Sequence, residues 1–554
     1  MPEIPGKSGK VPENGSTIQN PTVLFRRQHE AARPCLDLMR GTDAMREAGA
    51  RYIPPKEDES SEAHGIRVKR AVLRNVFAQT IGYYRGQVFC RQVALDNADS
   101  TLKDDALQRF RTWAEDVDQR GHNLTSWSGA VFTAGLVSGV TFCLVDFPAI
   151  ETEISEGGVT MYRAQDGSLR PKTAAADAAE GWQPYLVHIP AEQVLDCRAQ
   201  WRKGRCVITH FRYIETSYEQ SDTDPNELEP VQYVHAYTQE GWQLWKAASS
   251  TGGTGAGFEL VAQGKMSLGE VPVAVFMPGD PRSDFTAQPA LIDLAHLNIK
   301  HWRATCDQED LMAFNRLPVW VSVGIAPLKD VQGNDIPMPV GPGKVLYYEG
   351  GGDLKSVGVD SASVAAGRQD LLDTEESMAS YGLQIMQMQS AARMTATGVD
   401  KMTREGNSQL KNWALDFQDF LENCLRLVGL WWGLEDGPSV KVNDDFADSA
   451  NMDFLLQLHD KGLLSKETLA SFAVRLGILP DDFNYADEVA RRAQDAADAA
   501  NAGQSFGLSL AQRLGAGMSA GAGASVGAGS GNDGSSGNSG NFREIPGNSG
   551  TSTR

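Results

Sequence analysis

Three stretches of helical periodicity between residues 289 and 432 constrain this chain more than anything else in it. In residues 289–315 the apolar positions Ile292, Ala295, Ile299, Trp302 and Cys306 step by three and four, drawing a narrow stripe along one side of a helix. At 1.5 Å per residue such a helix spans about 40 Å, and Pro318 stops it. Residues 361–389 repeat the pattern with Leu371, Leu372, Met378, Ile385 and Met386. The third stretch, residues 407–432, is the clearest, with Leu410, Trp413, Phe417, Leu421, Cys424, Val428 and Trp431 on one face. Its tryptophans, with Trp432, read as helix core rather than as a platform for stacked bases.

The connections between these helices differ in character. Between the first two lies a strand-rich insert, with runs at residues 319–323 and 344–348 joined by Gly- and Pro-rich turns. Between the second and third, residues 390–406 break the pattern at Thr395-Ala396-Thr397-Gly398 and hold the cations Arg393, Lys401 and Arg404. After Gly433 comes an acidic segment, then a compact helical pair at residues 452–464 and 465–477, with Ser465 placed to cap the second helix.

Upstream, residues 67–89 carry Val72, Val76, Phe77, Thr80, Ile81 and Tyr84 at helical spacing. Short runs rich in β-branched and aromatic residues follow at 141–147, 185–189, 205–213, 232–237 and 241–245, predicting strands in an α+β body. Residues 130–145 carry no charge and contain the small-residue pair Gly135 and Gly139. Thr133, Ser138 and Thr141 interrupt them and Asp146 and Pro148 close them, so they read as a buried helix and strand rather than a membrane span. The first twenty or so residues and the Gly-, Ser-, Ala- and Asn-rich stretch after Gly503 have too little apolar area to offset chain entropy, which predicts disorder.

With 41% hydrophobic and 22% charged residues, the bulk of the chain can bury a core. The formal net charge of −20 argues against a protein that grips nucleic acid. It is compatible with a surface past which DNA slides, because every phosphate contact that forms must also be broken. The seven cysteines (Cys35, Cys90, Cys143, Cys197, Cys206, Cys306, Cys424) are odd in number, scattered and free of any Cys-x-x-Cys, which predicts reduced thiols in a cytosolic setting. The start of the chain lacks the apolar stretch of a signal peptide.

Enzyme motifs fail on inspection. Gly341-Pro342-Gly343-Lys344-Val345 lacks the first glycine and the hydroxyl of a phosphate loop, and Gly6-Lys7-Ser8 lies in the predicted flexible start. His29-Glu30-Ala31-Ala32-Arg33 misses the last ligand of a metalloprotease helix. The Gly-x-Ser-x-Gly matches at Ser519 and Ser525 fall in the low-complexity tail, without the strand and helix a nucleophile elbow needs. Asp444-Asp445 reads as part of an acidic solvated loop, and the nine histidines form no spaced cluster. No catalytic residue, metal site or cofactor is expected.

The order of the pieces, from about residue 52 to 498, resembles the portal proteins of tailed bacteriophages. Arg70-Ala71-Val72-Leu73-Arg74-Asn75-Val76-Phe77 with Thr80-Ile81 is similar to the family's early wing helix. The segments Gly139 to Pro148, Pro289 to Asn298, Gly382 with Thr395-Ala396-Thr397, and Gly462-Leu463-Leu464-Ser465 with Leu476-Gly477 also match its pattern. The resemblance implies an α+β portal fold divided into a flexible N-terminus (1–22), an α/β wing (23–285) and a first stem helix (286–318). It goes on with a small β-containing clip (319–360), a second stem helix (361–389) and a tunnel loop (390–406). A long wing helix (407–438), a helical C-terminal crown (439–500) and a disordered Gly/Ser-rich tail (501–554) follow.

It further implies a closed homo-oligomeric ring of about twelve copies at one capsid vertex, through which double-stranded DNA passes non-specifically. Terminase, capsid and scaffold proteins and head–tail adaptor proteins would be partners, with no membrane. The protein would be found in the virion, and in the host cytoplasm during assembly. Arg393, Lys401 and Arg404 would be the channel-lining cations; the alternative is that they pair with Asp400, Glu405 or a neighbour's acids. A different virion head-completion or minor capsid protein, or a DNA-processing enzyme, are the rival functions.

Overall fold

A computed structural model describes residues 17–96, 102–148, 180–202, 204–221, 226–248, 257–266, 268–316, 360–382, 396–444, 464–475 and 483–495. It also describes the short pieces 152–154, 160–163, 168–171, 319–323, 328–329, 332–336, 353–357 and 459–462 and residues 224, 456 and 479; for 396–408 it gives the backbone alone. The chain divides into two compact units, Met1–Phe446 and Ala447–Arg554.

The first unit starts with helices. α1 (Val23–Arg40) turns at Gly41 into α2 (Thr42–Ala48). α3 (Ser61–Arg70) and α4 (Val76–Val88) replace the single helix expected over residues 67–89. The interruption has a tertiary cause. Asn75 caps α4 by accepting the Ala78 N–H (2.9 Å), and its Nδ2 donates to the Leu38 carbonyl (2.5 Å). From a distant helix the fully buried Asn298 accepts the Phe77 N–H (2.9 Å) and donates to the Arg74 carbonyl (3.0 Å). Side chains thus satisfy backbone groups that a continuous helix would have paired internally.

β1 (Ala94–Asp96), α5 (Asp104–Trp113) and α6 (Leu124–Ser138) come next. α6 ends at Gly139, whose φ of +81° is left-handed, and β2 (Thr141–Asp146) begins at once, buried through Val145. A Cβ at position 139 would come within 2.9 Å of the Ala287 carbonyl oxygen and the Pro289 nitrogen, so the turn requires glycine. Residues 130–145 are therefore a buried helix and strand, and among the described residues no helix is long and apolar enough to cross a membrane.

β3 (Thr152–Ile154), β4 (Thr160–Arg163) and β5 (Leu169–Pro171) form a small antiparallel sheet, and β6 (Tyr185–Pro190) pairs with β2. β7 (Val194–Arg202), β8 (Arg205–Gln220), β9 (Leu228–Thr238), β10 (Gly241–Ala247) and β11 (Phe258–Lys265) make a five-stranded antiparallel meander. β12 (Val273–Phe276) takes the other edge of β2, and β13 (Asp280–Ser283) pairs with β14 (Thr286–Gln288). The five strands expected over residues 141–245 correspond to β2, β6, β8, β9 and β10, with β8 and β9 running longer; the other strands named so far are not anticipated.

α7 (Ile292–Arg316), β15 (Val319–Val323), β16 (Leu328–Lys329), β17 (Asp335–Ile336), β18 (Asp353–Val357), α8 (Ser361–Gly382), α9 (Ala396–Trp431) and β19 (Ser439–Lys441) complete the unit. β19 pairs with β1, so residues 439–444 belong here and not to the helical region expected to begin at 439.

The main core gathers α9 against α4, α6 and β12. The ring of Phe417 meets Phe89 (5.6 Å), Phe132 (5.4 Å) and Phe276 (4.9 Å) at steep angles, the edge-to-face geometry aromatic rings prefer. Trp413 Nε1 donates to the Pro278 carbonyl and Trp431 Nε1 to the Val145 carbonyl, both at 3.1 Å. Trp432 lies against Phe110 (4.8 Å) beneath the Arg109 guanidinium (4.0 Å). All three tryptophans are thus engaged inside the protein. A second cluster joins β2 to the meander, with Phe142 5.5 Å from Phe211.

In the second unit α10 (Lys466–Arg475) is capped by Ser465, whose Oγ accepts the Thr468 N–H at 3.1 Å. Most of the helix expected at residues 452–464 lies outside the described residues.

Candidate stem hairpin and channel segments

α7 and α8 run antiparallel. Lys300 Nζ reaches Asp370 Oδ1 and Thr374 Oγ1 (3.1 Å each), His301 Nε2 reaches Glu375 Oε1 (3.2 Å), and farther along Gln308 Nε2 donates to the Val364 carbonyl (3.0 Å). Rising numbers on α7 meet falling numbers on α8. With 25 and 22 residues the helices are about 38 and 33 Å long. The Gln308 side chain lies over Gly367, where a Cβ would require Oε1 to move aside.

The apolar stripe of α7 is not what joins it to α8. Instead Leu294, Ala295, Ile299, Trp302 and Cys306 enter the main core beside α1, α3 and α4, and among the described residues α8 contributes Met378 alone to that core. The α7–α8 contact beyond it is largely polar. Burial pushes the His301 imidazole below its ordinary value, against the opposing pull of Glu375.

A charged collar holds α7 to the α3 region. The buried Arg67 grips Glu59 through two bonds (Nε to Oε1 2.8 Å, Nη2 to Oε2 2.6 Å), which holds the Glu59 carboxyl down to about 2. Lys56 bridges Asp307 (3.5 Å) and Asp310 (3.0 Å), and Arg74 pairs with Glu375.

Beyond the collar the hairpin leaves the core. No residue of α7 after Cys306, and none of α8 before Thr374, is fully buried among the described side chains. On α8 Ala362, Ala365, Ala366, Gln369, Leu372, Asp373 and Glu376 are exposed. The insert between the helices is closed at its root by β15 and β18, in the antiparallel register Val319↔Val357 through Val323↔Asp353. The partner of residues 319–323 is therefore Asp353–Val357; residues 344–348 lie outside the described residues. Pairing follows from which strands abut the two helices, information that residue type does not carry.

Arg393 lies outside the described residues. Lys401 and Arg404 are within α9, which begins at Ala396 rather than at 407, so residues 396–406 are helical and not loop. A helix already stabilised by its packed face propagates backward at a cost of only about 1 kcal/mol for each glycine such as Gly398 or Gly406. Asp444, considered above as half of an acidic pair, forms an ion pair with Lys411 (3.0 Å). Among the described residues no group of three His, Cys, Asp or Glu side chains is placed to hold a metal ion. The Asn298 and Arg67 anchors were missed: a single Asn within an apolar stripe and an Arg on a short helix give no local signal of a partner far away in sequence.

Residues 290–432, from α7 through α9, match a family model described as a domain of unknown function (DUF4055). No curated protein matches the chain. Among solved structures it is similar to a chain in the neck of an empty GTA particle computed with C6 symmetry. The identity is 13%, with 73% of this chain and 90% of that one covered, at a TM-score of 0.37. It is also similar to a chain in the neck of the native GTA particle computed with C12 symmetry (12% identity, 72% and 89% covered, TM-score 0.34). A chain in the virion of the native gene transfer agent particle follows at 11% identity, 73% and 90% covered, TM-score 0.34.

Proposed function

We propose that this chain is a portal-type structural subunit of a tailed-phage-like virion. Copies close into a ring at one capsid vertex, and their α7–insert–α8 hairpins wall the channel through which double-stranded DNA enters and leaves. The insert docks terminase during packaging and head–tail adaptor proteins afterwards, while capsid and scaffold proteins meet the outside of the ring. The free subunit is made in the host cytoplasm.

One observation carries this reading. Past Cys306 on α7 and before Thr374 on α8 the hairpin leaves the core, and among the described residues these two helical segments have no fully buried side chain. Helices gain most of their stability in proteins from packing an amphipathic face, so an unpacked pair is marginal alone. Side-by-side contact with the hairpins of neighbouring copies supplies the missing burial, and heterologous contacts whose rotation closes make a ring. The work of such a conduit is geometric and electrostatic, with no bond-making step. A net charge of −20 keeps phosphate contacts few, and Arg393, Lys401 and Arg404 are the proposed transient ones.

Negative-stain imaging and native mass spectrometry of the purified full chain test the proposal. Rings of about twelve copies with a central hole are expected; a monomer at all concentrations would overturn it. Replacing Arg393, Lys401 and Arg404 with Ala should change the packaged genome length, and unchanged packaging would remove them as channel cations.

A further inference from the structure

The five-stranded meander is charged at its two ends with opposite sign. Residues 198–205 contain Arg198, Arg202, Lys203 and Arg205, of which Arg198 pairs with Asp196 (2.7 Å); residues 215–229 contain six acids and no Lys or Arg. The strand β8 connects the two zones. Its sixteen residues put the β7–β8 turn about 50 Å from the β8–β9 turn. One molecule therefore cannot bring its own two ends together.

Each end carries a cross-strand pair of like charge. At the basic end Arg202 lies directly opposite Arg205, and at the acidic end Glu219 lies opposite Glu229. Such pairs are destabilising in an isolated sheet. Part of the charge is answered locally, since Arg205 reaches Glu270 (3.3 Å), Glu219 reaches Lys246 (2.7 Å) and Glu229 accepts from Ser221 Oγ (2.5 Å). Among the described residues Arg202 and Glu227 have no ion-pair partner. Each end also exposes large apolar surface: Trp201 is 74% exposed beside Arg202, and Tyr218 (67%) and Leu228 (61%) are exposed beside Glu219 and Glu229.

We infer that these two ends are the complementary halves of a contact between copies, the β7–β8 turn of one subunit seating on the β8–β9 end of the next. The contact rests on the ring proposed above and gives that ring a second seam, remote from the stem hairpin. Nucleic acid on the basic turn would account for Arg202 and Trp201 but leave the acidic end, with its own exposed aromatic and like-charged pair, unexplained. A second copy of this chain answers both ends at once, and being head-to-tail it repeats around a closed ring.

The test uses the full chain and two exposed charges. Arg202→Glu and Glu227→Lys, each alone, should raise the concentration for half-assembly about tenfold or more, because like charges then face each other across every seam. The chain carrying both substitutions, and an equimolar mixture of the two single variants, should both recover assembly. Far-UV circular dichroism of each variant should match the original chain. Trp201→Ser gives a charge-independent check and should weaken assembly without rescue by Glu227→Lys. Rings that form at unchanged concentration with either single charge reversal overturn the contact while leaving the ring intact. So does loss of assembly that the combined substitutions do not restore. Normal rings with weakened binding of a short DNA duplex by Arg202→Glu would make the basic turn a nucleic-acid contact instead. An original chain that never assembles overturns the ring itself.

Discussion

Replacing Asn298 with Ala tests the reasoning on which the placement of α7 depends. The fully buried Asn298 makes two hydrogen bonds across the α3–α4 break. Without its Oδ1 the Phe77 N–H, second in α4, loses its partner inside the protein, and an unsatisfied buried donor costs about 1–3 kcal/mol. The Arg74 carbonyl loses Nδ2 but keeps the Val76 N–H (3.0 Å), so its loss is nearer the 0.5–1.5 kcal/mol of an ordinary hydrogen bond. Together the substitution should destabilise the first unit by about 2–4 kcal/mol. Lys300→Ala is the contrast: it removes an ion pair to Asp370 in which both side chains are more than half exposed, worth about 0–1 kcal/mol, together with a bond to Thr374 Oγ1, which keeps its own bond to the Asp370 carbonyl. Urea unfolding of both variants, with amide exchange followed at Phe77, reads the difference. An Asn298→Ala cost below about 0.5 kcal/mol, or one smaller than that of Lys300→Ala, would refute the account of the break.

Further outcomes follow from the same structure. Phe417→Ala empties the centre of the aromatic cluster and should cost about 3–5 kcal/mol in urea unfolding. Gly139→Ala forces a left-handed residue against the backbone at Ala287 and Pro289, and should cost at least about 2 kcal/mol or leave the chain insoluble. The Glu59 carboxyl sits at about 2 because Arg67 holds it, so its contribution is present above the ordinary value of 4.5 and lost as pH falls from there toward 2; Glu59→Gln should flatten that part of a pH–stability curve. Burial holds the His188 and His210 imidazoles at about 4, so the unfolded chain takes up protons first. Stability should fall as pH drops from about 6.5 toward 4, and His188→Gln should reduce the slope over that window.

Much of the helical architecture was legible because it repeats locally. The stripe from Leu410 to Trp431 returns as the buried face of α9, and α7 and α8 fall within the stretches read from spacing. What periodicity lacks is the identity of the surface a stripe packs against. It marked Trp302 and Cys306 as apolar and inward but could not say that inward meant the α1–α3–α4 body rather than α8. The interruption near Asn75 and the pairing of β15 with β18 failed for the same reason, since both depend on contacts between residues far apart in the chain. Of the channel candidates, the backbone of Lys401 and Arg404 was misread because Gly398 and Gly406 resemble helix breakers when judged without the stable helix that follows them.

The polar lining between α7 and α8 has a thermodynamic consequence. The segments of α7 after Cys306 and of α8 before Thr374, with no fully buried side chain among the described residues, have little to gain by holding rigid shape in a lone subunit. In the proposed ring their ordering is linked to encounter with a neighbour, so helix content should rise with protein concentration by mass action. In that proposed ring an arc missing one member would leave two hairpins each with an unsupported flank, which penalises incomplete circles and favours growth toward closure.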